Sequence, residues 1–217
     1  MDKWPSLKQA TGEKERLELA SALFAEFQYG PGYPATLTSL LDKVVGEYSK
    51  REHEPSVLSL ASYLFKTRGI RGAEKDYYNP FHSNLIYVIE EGRGNPLSLS
   101  CIYILTGRRL GLDIEGCNFP GHFLTRARNE GDTYVVDCFN GGRFLERSDI
   151  LSMNKGATAQ LSDLLDADCP TDVILARMLR NIIHAYRQED KPENIKLFQN
   201  LLHAMHGDDD SDQDKEL

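Results

Sequence analysis

Residues 93–111 read RGNPLSLSCIYILTGRRLG, and the order of features in this stretch decides the fold. Asn95 is a good helix N-cap. Pro96 suits the first helical position, because its missing N–H would be unpaired there anyway. From residue 96 to 110 apolar side chains fall on every side of the helix: Leu97, Leu99, Cys101, Ile102, Ile104 and Leu105. A helix that is apolar all round is buried, not amphipathic. Gly111 closes it as the residue after the C-cap. Downstream the period changes. Residues 113–118, 121–127 and 133–139 are short and rich in aliphatic and aromatic side chains, with turn signals at 118–121 and 129–132. Asn140-Gly141-Gly142 is a tight-turn signal leading into a fourth strand at 143–145. A buried helix followed by an antiparallel meander predicts an α+β fold.

Working outward, residues 13–28 place Leu17, Ala20, Leu23, Phe24 and Phe27 at helical spacing. The run Tyr29-Gly30-Pro31-Gly32-Tyr33-Pro34 then breaks the chain. Helices are expected at 36–50, with Leu37, Leu40, Leu41, Val44 and Tyr48 on one face, and at 56–66. The Arg68–Gly72 stretch reads as a turn, and a short helix is expected near 84–89. Residues 172–204 predict two helices around Gln188–Pro192. Their combined length resembles one tetratricopeptide-like unit. Such a unit cannot bury its apolar face alone, so the pair must pack on the core or recruit a partner. The expected organisation is a helical lobe at 1–75, an α+β core at 76–165, the helix pair at 171–206 and a disordered acidic tail at 207–217.

Of 217 residues, 41% are apolar and 27% charged, the balance of a globular protein. The net charge of −8 is concentrated in GDDDSDQDKEL, which carries six acidic residues and one lysine. The body is left near −3. No basic stripe interleaved with aromatics suggests nucleic acid. No apolar run reaches the roughly 20 residues of a membrane span. The polar start lacks the apolar region of a signal peptide. Cys101, Cys117, Cys138 and Cys169 show no paired metal spacing, so free thiols in a cytoplasmic protein, with no metal and no cofactor, are expected.

Acyl-transfer thiol chemistry needs a thiolate, a His to take its proton and a group that orients the His. A buried helix N-terminus lowers a thiol pKa, and two adjacent strands can carry the other two groups. This chain offers the helix from Pro96, then His122, then Asp137, the last two separated as on neighbouring antiparallel strands.

RGNPLSLSCIYILTGRRLGLDIEG, NFPGHFLTRA and YVVDCFNGGR resemble the transglutaminase-like core of the bacterial SirB-type family. Tyr77-Tyr78-Asn79-Pro80 and Met178-Leu179-Arg180-Asn181 are similar to that family as well. The resemblance covers roughly residues 15–204 and implies a papain/transglutaminase-like core followed by tetratricopeptide-like helices. A relative of the core occurs in an animal F-box protein. In an active core of this kind a cysteine stands at the helix start. Counting back from Gly111, that position is Pro96, which has no functional group. His122 and Asp137 fall where the pattern places its His and Asp.

Two residues remain as substitute nucleophiles. Ser100 lies about 40° from the Pro96 direction and one turn, roughly 6 Å, deeper. Cys101 lies about 140° away and faces the core. Ser98 points elsewhere. The leading expectation is a catalytically inactive transglutaminase-like protein that binds a protein or peptide partner, its groove lined by Asn95, Pro96, Ser98 and Asn118. The alternative is a hydrolase or acyltransferase using Ser100 or Cys101 with His122 and Asp137.

Overall fold

A computed structural model describes residues 12–206, apart from 31, 32, 34, 53, 120, 121, 130, 147, 149 and 151–164. The expected acidic tail lies outside the described residues. Helix α1 (Glu13–Tyr29) ends where Gly30 takes φ +84 and donates its N–H to the Glu26 carbonyl. Helix α2 (Leu37–Ser49) is capped by Thr36, whose hydroxyl accepts from the Ser39 N–H. Helix α3 (Val57–Ala61) opens with a reciprocal Ser56–Ser59 capping box. It runs on as a π-helical stretch, Ser62–Thr67, which buries three consecutive residues, Tyr63, Leu64 and Phe65.

The Arg68–Gly72 stretch is more than a turn. Strand β1 (Arg71–Gly72) pairs in parallel with β2 (Arg93–Gly94), so residue 72 lies beside residue 94. Between them lie a 3₁₀ turn (Pro80–Ser83) and helix α4 (Leu85–Glu91), capped by Asn79 and Asn84 respectively. Helix α5 (Pro96–Arg109) follows, and every residue from Leu97 to Gly107 is buried. Its end is a Schellman motif. Gly111, at φ +71, donates to the Arg108 carbonyl, and Leu112 donates to that of Gly107.

Strands β3 (Asp113–Cys117), β4 (Leu124–Asn129), β5 (Asp132–Asp137) and β6 (Arg143–Leu145) form an antiparallel meander in chain order. Helix α5 presses on this sheet so closely that a Cβ on Gly107 would sit 2.5 Å from Cδ1 of Ile114. The predicted α+β architecture, a buried helix on an antiparallel sheet, is therefore observed.

Helices α6 (Thr171–Gln188) and α7 (Pro192–His206) form an antiparallel pair. They pack on the chain's own first helix: Phe24 meets Phe198 edge-on at 6.5 Å, and Phe198 stacks on Tyr186. One cluster of buried side chains runs from Leu17 to Met205 and joins the three expected segments. Arg109, at the end of α5, donates to Glu18 of α1 and Asp42 of α2, each at 2.8 Å. No helix among the described residues is long and apolar enough to cross a membrane.

Candidate functional site

The start of α5 is pinned from behind. Asn95 Oδ1 accepts from the Ser98 N–H at 2.9 Å, and its Nδ2 donates to Ser83 Oγ at 2.7 Å. Ser98 Oγ donates to the His82 carbonyl at 2.6 Å. Asn95 and Ser98, expected to line a groove, are buried and fully engaged with the 3₁₀ turn. Their polar groups satisfy the helix terminus, which would otherwise leave orphan donors inside the protein. Pro96 is half-buried at the first helical position. Asn118 is exposed and accepts from Arg177 of α6.

The sheet brings the other half. His122 lies in a bend two residues before β4, not within a strand as expected, and Asp137 is the last residue of β5. Thr125 pairs with Val136, so the two side chains emerge at the same end of adjacent strands. His122 Nε2 lies 2.9 Å from Asp137 Oδ1. This is an ion-pair distance, although the ring N–H does not aim straight along it. The histidine side chain is 29% exposed and the carboxylate 8%, so the acid braces the ring from inside. Asn140 also donates to Asp137, through its N–H at 3.1 Å and through Nδ2 at 2.7 Å. Burial works to raise the Asp137 pKa, but the contacts from His122 and Asn140 outweigh it and hold the carboxyl below its ordinary range.

Phe139 ties the two halves together. Its ring meets His122 edge-on at 6.3 Å and lies against Gly72, where a Cβ would sit 2.6 Å from the ring. Gly72 pairs with Gly94, two residues ahead of Pro96. The His122–Asp137 pair is thus anchored beside the N-terminus of α5.

The substitute nucleophiles are placed differently. Ser100 is 0% exposed, and its hydroxyl has no conventional hydrogen-bond partner; the Cys138 thiol lies alongside it. Cys101 is also 0% exposed, and burial pushes its thiol far above the ordinary range. Burial likewise raises Cys138 to about 12 and Cys117 and Cys169 to about 11. None of the four is poised as a thiolate near neutral pH. No group of three or more His, Cys, Asp or Glu among the described residues is placed to hold a metal.

Two residues here were not foreseen as part of the site. Asn140 signals a turn in the sequence, and Asp137-x-x-Asn140 also carries the site signal: a short acid whose side chain accepts from the backbone three residues on. Phe139 gave no signal, because its role depends on a glycine 67 positions away in sequence.

The chain was then compared with known proteins. Residues 32–180 match the family model described as the transglutaminase-like superfamily. A UPF0162 protein of Xylella fastidiosa is 36% identical over 203 residues, covering 87% of this chain and 71% of that protein. The UPF0162 protein PA3419 of Pseudomonas aeruginosa is 26% identical over 179 residues, covering 79% of this chain and 66% of its own. Mouse F-box only protein 21 is 28% identical over 161 residues, 70% of this chain but 25% of that protein. No solved structure matches. With a buried helix on an antiparallel sheet, a His–Asp pair beside the helix start and a family match over most of its length, the chain belongs to the transglutaminase-like superfamily.

Proposed function

We propose that this protein is a catalytically inactive transglutaminase-like module that recognises a protein or peptide partner. The observation that carries the reading is the side chain at the helix start. Pro96 is the first residue of α5, where the family resemblance puts the thiol that acyl-transfer chemistry needs, and His122 and Asp137 are paired at 2.9 Å. The alternatives within α5 support the same reading. Ser100 and Cys101 are fully enclosed, and a nucleophile must reach a carbonyl carbon as well as lose a proton. A His–Asp pair without a nucleophile is still useful to a binding surface, since it fixes a ring that donates and stacks.

The test is chemical labelling of the folded protein, with iodoacetamide near neutral pH and separately with a fluorophosphonate, read by mass spectrometry. Slow modification that is indifferent to His122→Ala is the expected result. Rapid stoichiometric labelling of Cys101 or Ser100, abolished by His122→Ala in a variant that still folds, would overturn the reading and restore the hydrolase or acyltransferase alternative.

A further inference from the structure

An open cleft, one aromatic ring removed from the His–Asp pair, is lined by Asp76, Tyr77, Tyr78, Asn79, Gln188 and Glu189. Two features set it apart from ordinary surface. Tyr77 and Tyr78 are 49% and 51% exposed, and their rings meet edge-on at 5.4 Å. Large exposed rings held in fixed mutual geometry are an uncommon use of apolar area and mark contact surfaces. One ring joins the cleft to the candidate site: Tyr77 meets Phe139 at 6.4 Å between ring centres, and Phe139 meets His122 at 6.3 Å.

The formal charge of the six lining residues has one sign, and His184 adjoins them with its ring edge-on to Tyr78 at 5.2 Å. None of its six lining residues is cationic, and two are acids. Lys75, Arg187 and Lys191 adjoin in sequence but do not line it. Glu189 is the C-cap of α6, where the helix dipole is already negative, and Asp190 follows it. Asp76 and Asp190 are the non-glycine residues with positive φ among the described residues, at +56 and +51. An acid at a helix C-terminus works against the dipole, whereas Asp is among the side chains that left-handed backbone accepts most readily.

The geometry points to this cleft as the seat of a lysine or arginine side chain from a partner polypeptide. The apolar stem lies on the Tyr77 and Tyr78 rings, which also attract the charge through their faces, and the cationic head meets Glu189 and Asp76. A polypeptide is the occupant, and not a free amine, because the Tyr77–Phe139–His122 ring contacts extend the surface beyond the reach of one side chain. This inference rests on the partner-binding reading above and adds the chemistry of the partner.

The experiment uses the full chain labelled with ¹⁵N and titrated with the capped pentapeptide Gly-Gly-Lys-Gly-Gly, its Gln counterpart and n-butylammonium. The Lys peptide is expected to shift the amides of residues 76–79 and 188–190, and to weaken as salt shortens the Debye length to about 6 Å near 0.3 M. Glu189→Gln and Tyr78→Ala, both at exposed positions, are each expected to weaken it about two- to fivefold. Equal shifts from the Gln peptide, shifts confined to other regions, or no shifts up to about 10 mM would each overturn the assignment. Butylammonium binding as tightly as the Lys peptide would overturn the polypeptide occupant. Labelling of Cys101 or Ser100 governed by His122 would instead refute the inactive-module reading, so the two failures are distinguishable.

Discussion

Pro96→Cys places a thiol at the first position of a 14-residue helix, beside the His122–Asp137 pair. A free cysteine titrates near 8.5, so about 3% is thiolate at pH 7. Charge at a helix terminus is worth about 0.3–1 kcal/mol, rising to about 2 kcal/mol when partly buried. Taking about 1.4 kcal/mol for this half-buried position lowers the pKa by about one unit and raises the thiolate fraction about eightfold. Lower basicity costs about threefold in intrinsic nucleophilicity, since the Brønsted slope is about 0.4–0.5. The net gain over an exposed thiol is therefore about two- to threefold. If His122 reaches the new sulfur, an ion pair takes the pKa well below that, toward about 4 as in His-paired cysteines. The assay is the pH dependence of iodoacetamide alkylation, with Cys101 as internal reference and His122→Ala as the paired variant. The introduced thiol is expected to outpace Cys101, which is fully buried, and to titrate below 8.5 in a His122-dependent way. A thiol that titrates at or above about 8.5, unchanged by His122→Ala, would show that the helix start does not face the pair.

Other consequences are accessible to simple measurements. Arg109→Ala removes bonds to Glu18 and Asp42 that join three helices; a loss of about 1–2 kcal/mol in urea unfolding is expected, and a change under about 0.3 kcal/mol would count against the link. Asp137 and Glu18 both have depressed folded pKa values. Their stabilisation is thus fully present above the ordinary carboxylate range and is lost as pH falls through the folded values. Asn140→Ala should flatten that acid limb, because it removes one of the donors that lower Asp137. Asp190→Gly relieves about 1 kcal/mol of left-handed strain and about 0.3–1 kcal/mol of dipole repulsion, against about 0.4–1 kcal/mol of added freedom in the unfolded chain. Asp190 donates to the Arg187 carbonyl and Lys191 to that of Tyr186, a Schellman end like that at Gly111; a net gain of about 0.5–1 kcal/mol in thermal unfolding is expected, and a loss would contradict that assignment.

Legibility in the sequence followed the range of the interaction. The cap at Asn95, the buried run to Gly107 and the Gly111 stop are local, and the structure places them within a residue of the expected positions. The meander was equally plain, since turn residues mark its corners. The π-stretch at 62–67 was invisible, because a pattern of consecutive apolar residues reads as a helix of either width. The β1–β2 bridge was missed for a different reason: two residues are too few to set a period. At the site, the His122–Asp137 spacing was readable, but the fate of Asn95 and Ser98 was not. Both carry groove-like polar side chains, and only the folded 3₁₀ turn behind them reveals that their bonds point inward.

The seating of α6 and α7 on α1 has a consequence for synthesis. Phe24 of α1 finds its aromatic neighbour Phe198 only after every residue up to α7 has been made. At ribosomal rates of about 5–20 residues per second, adding the 174 residues from 25 to 198 takes roughly 9–35 seconds. Through that interval the emerging helix carries an apolar face whose cover does not yet exist. The face of α1 that Phe24 occupies is therefore covered only once α7 has been made. A truncation before residue 192 should thus behave on the ribosome as a client for chaperones, with α1 as the exposed segment.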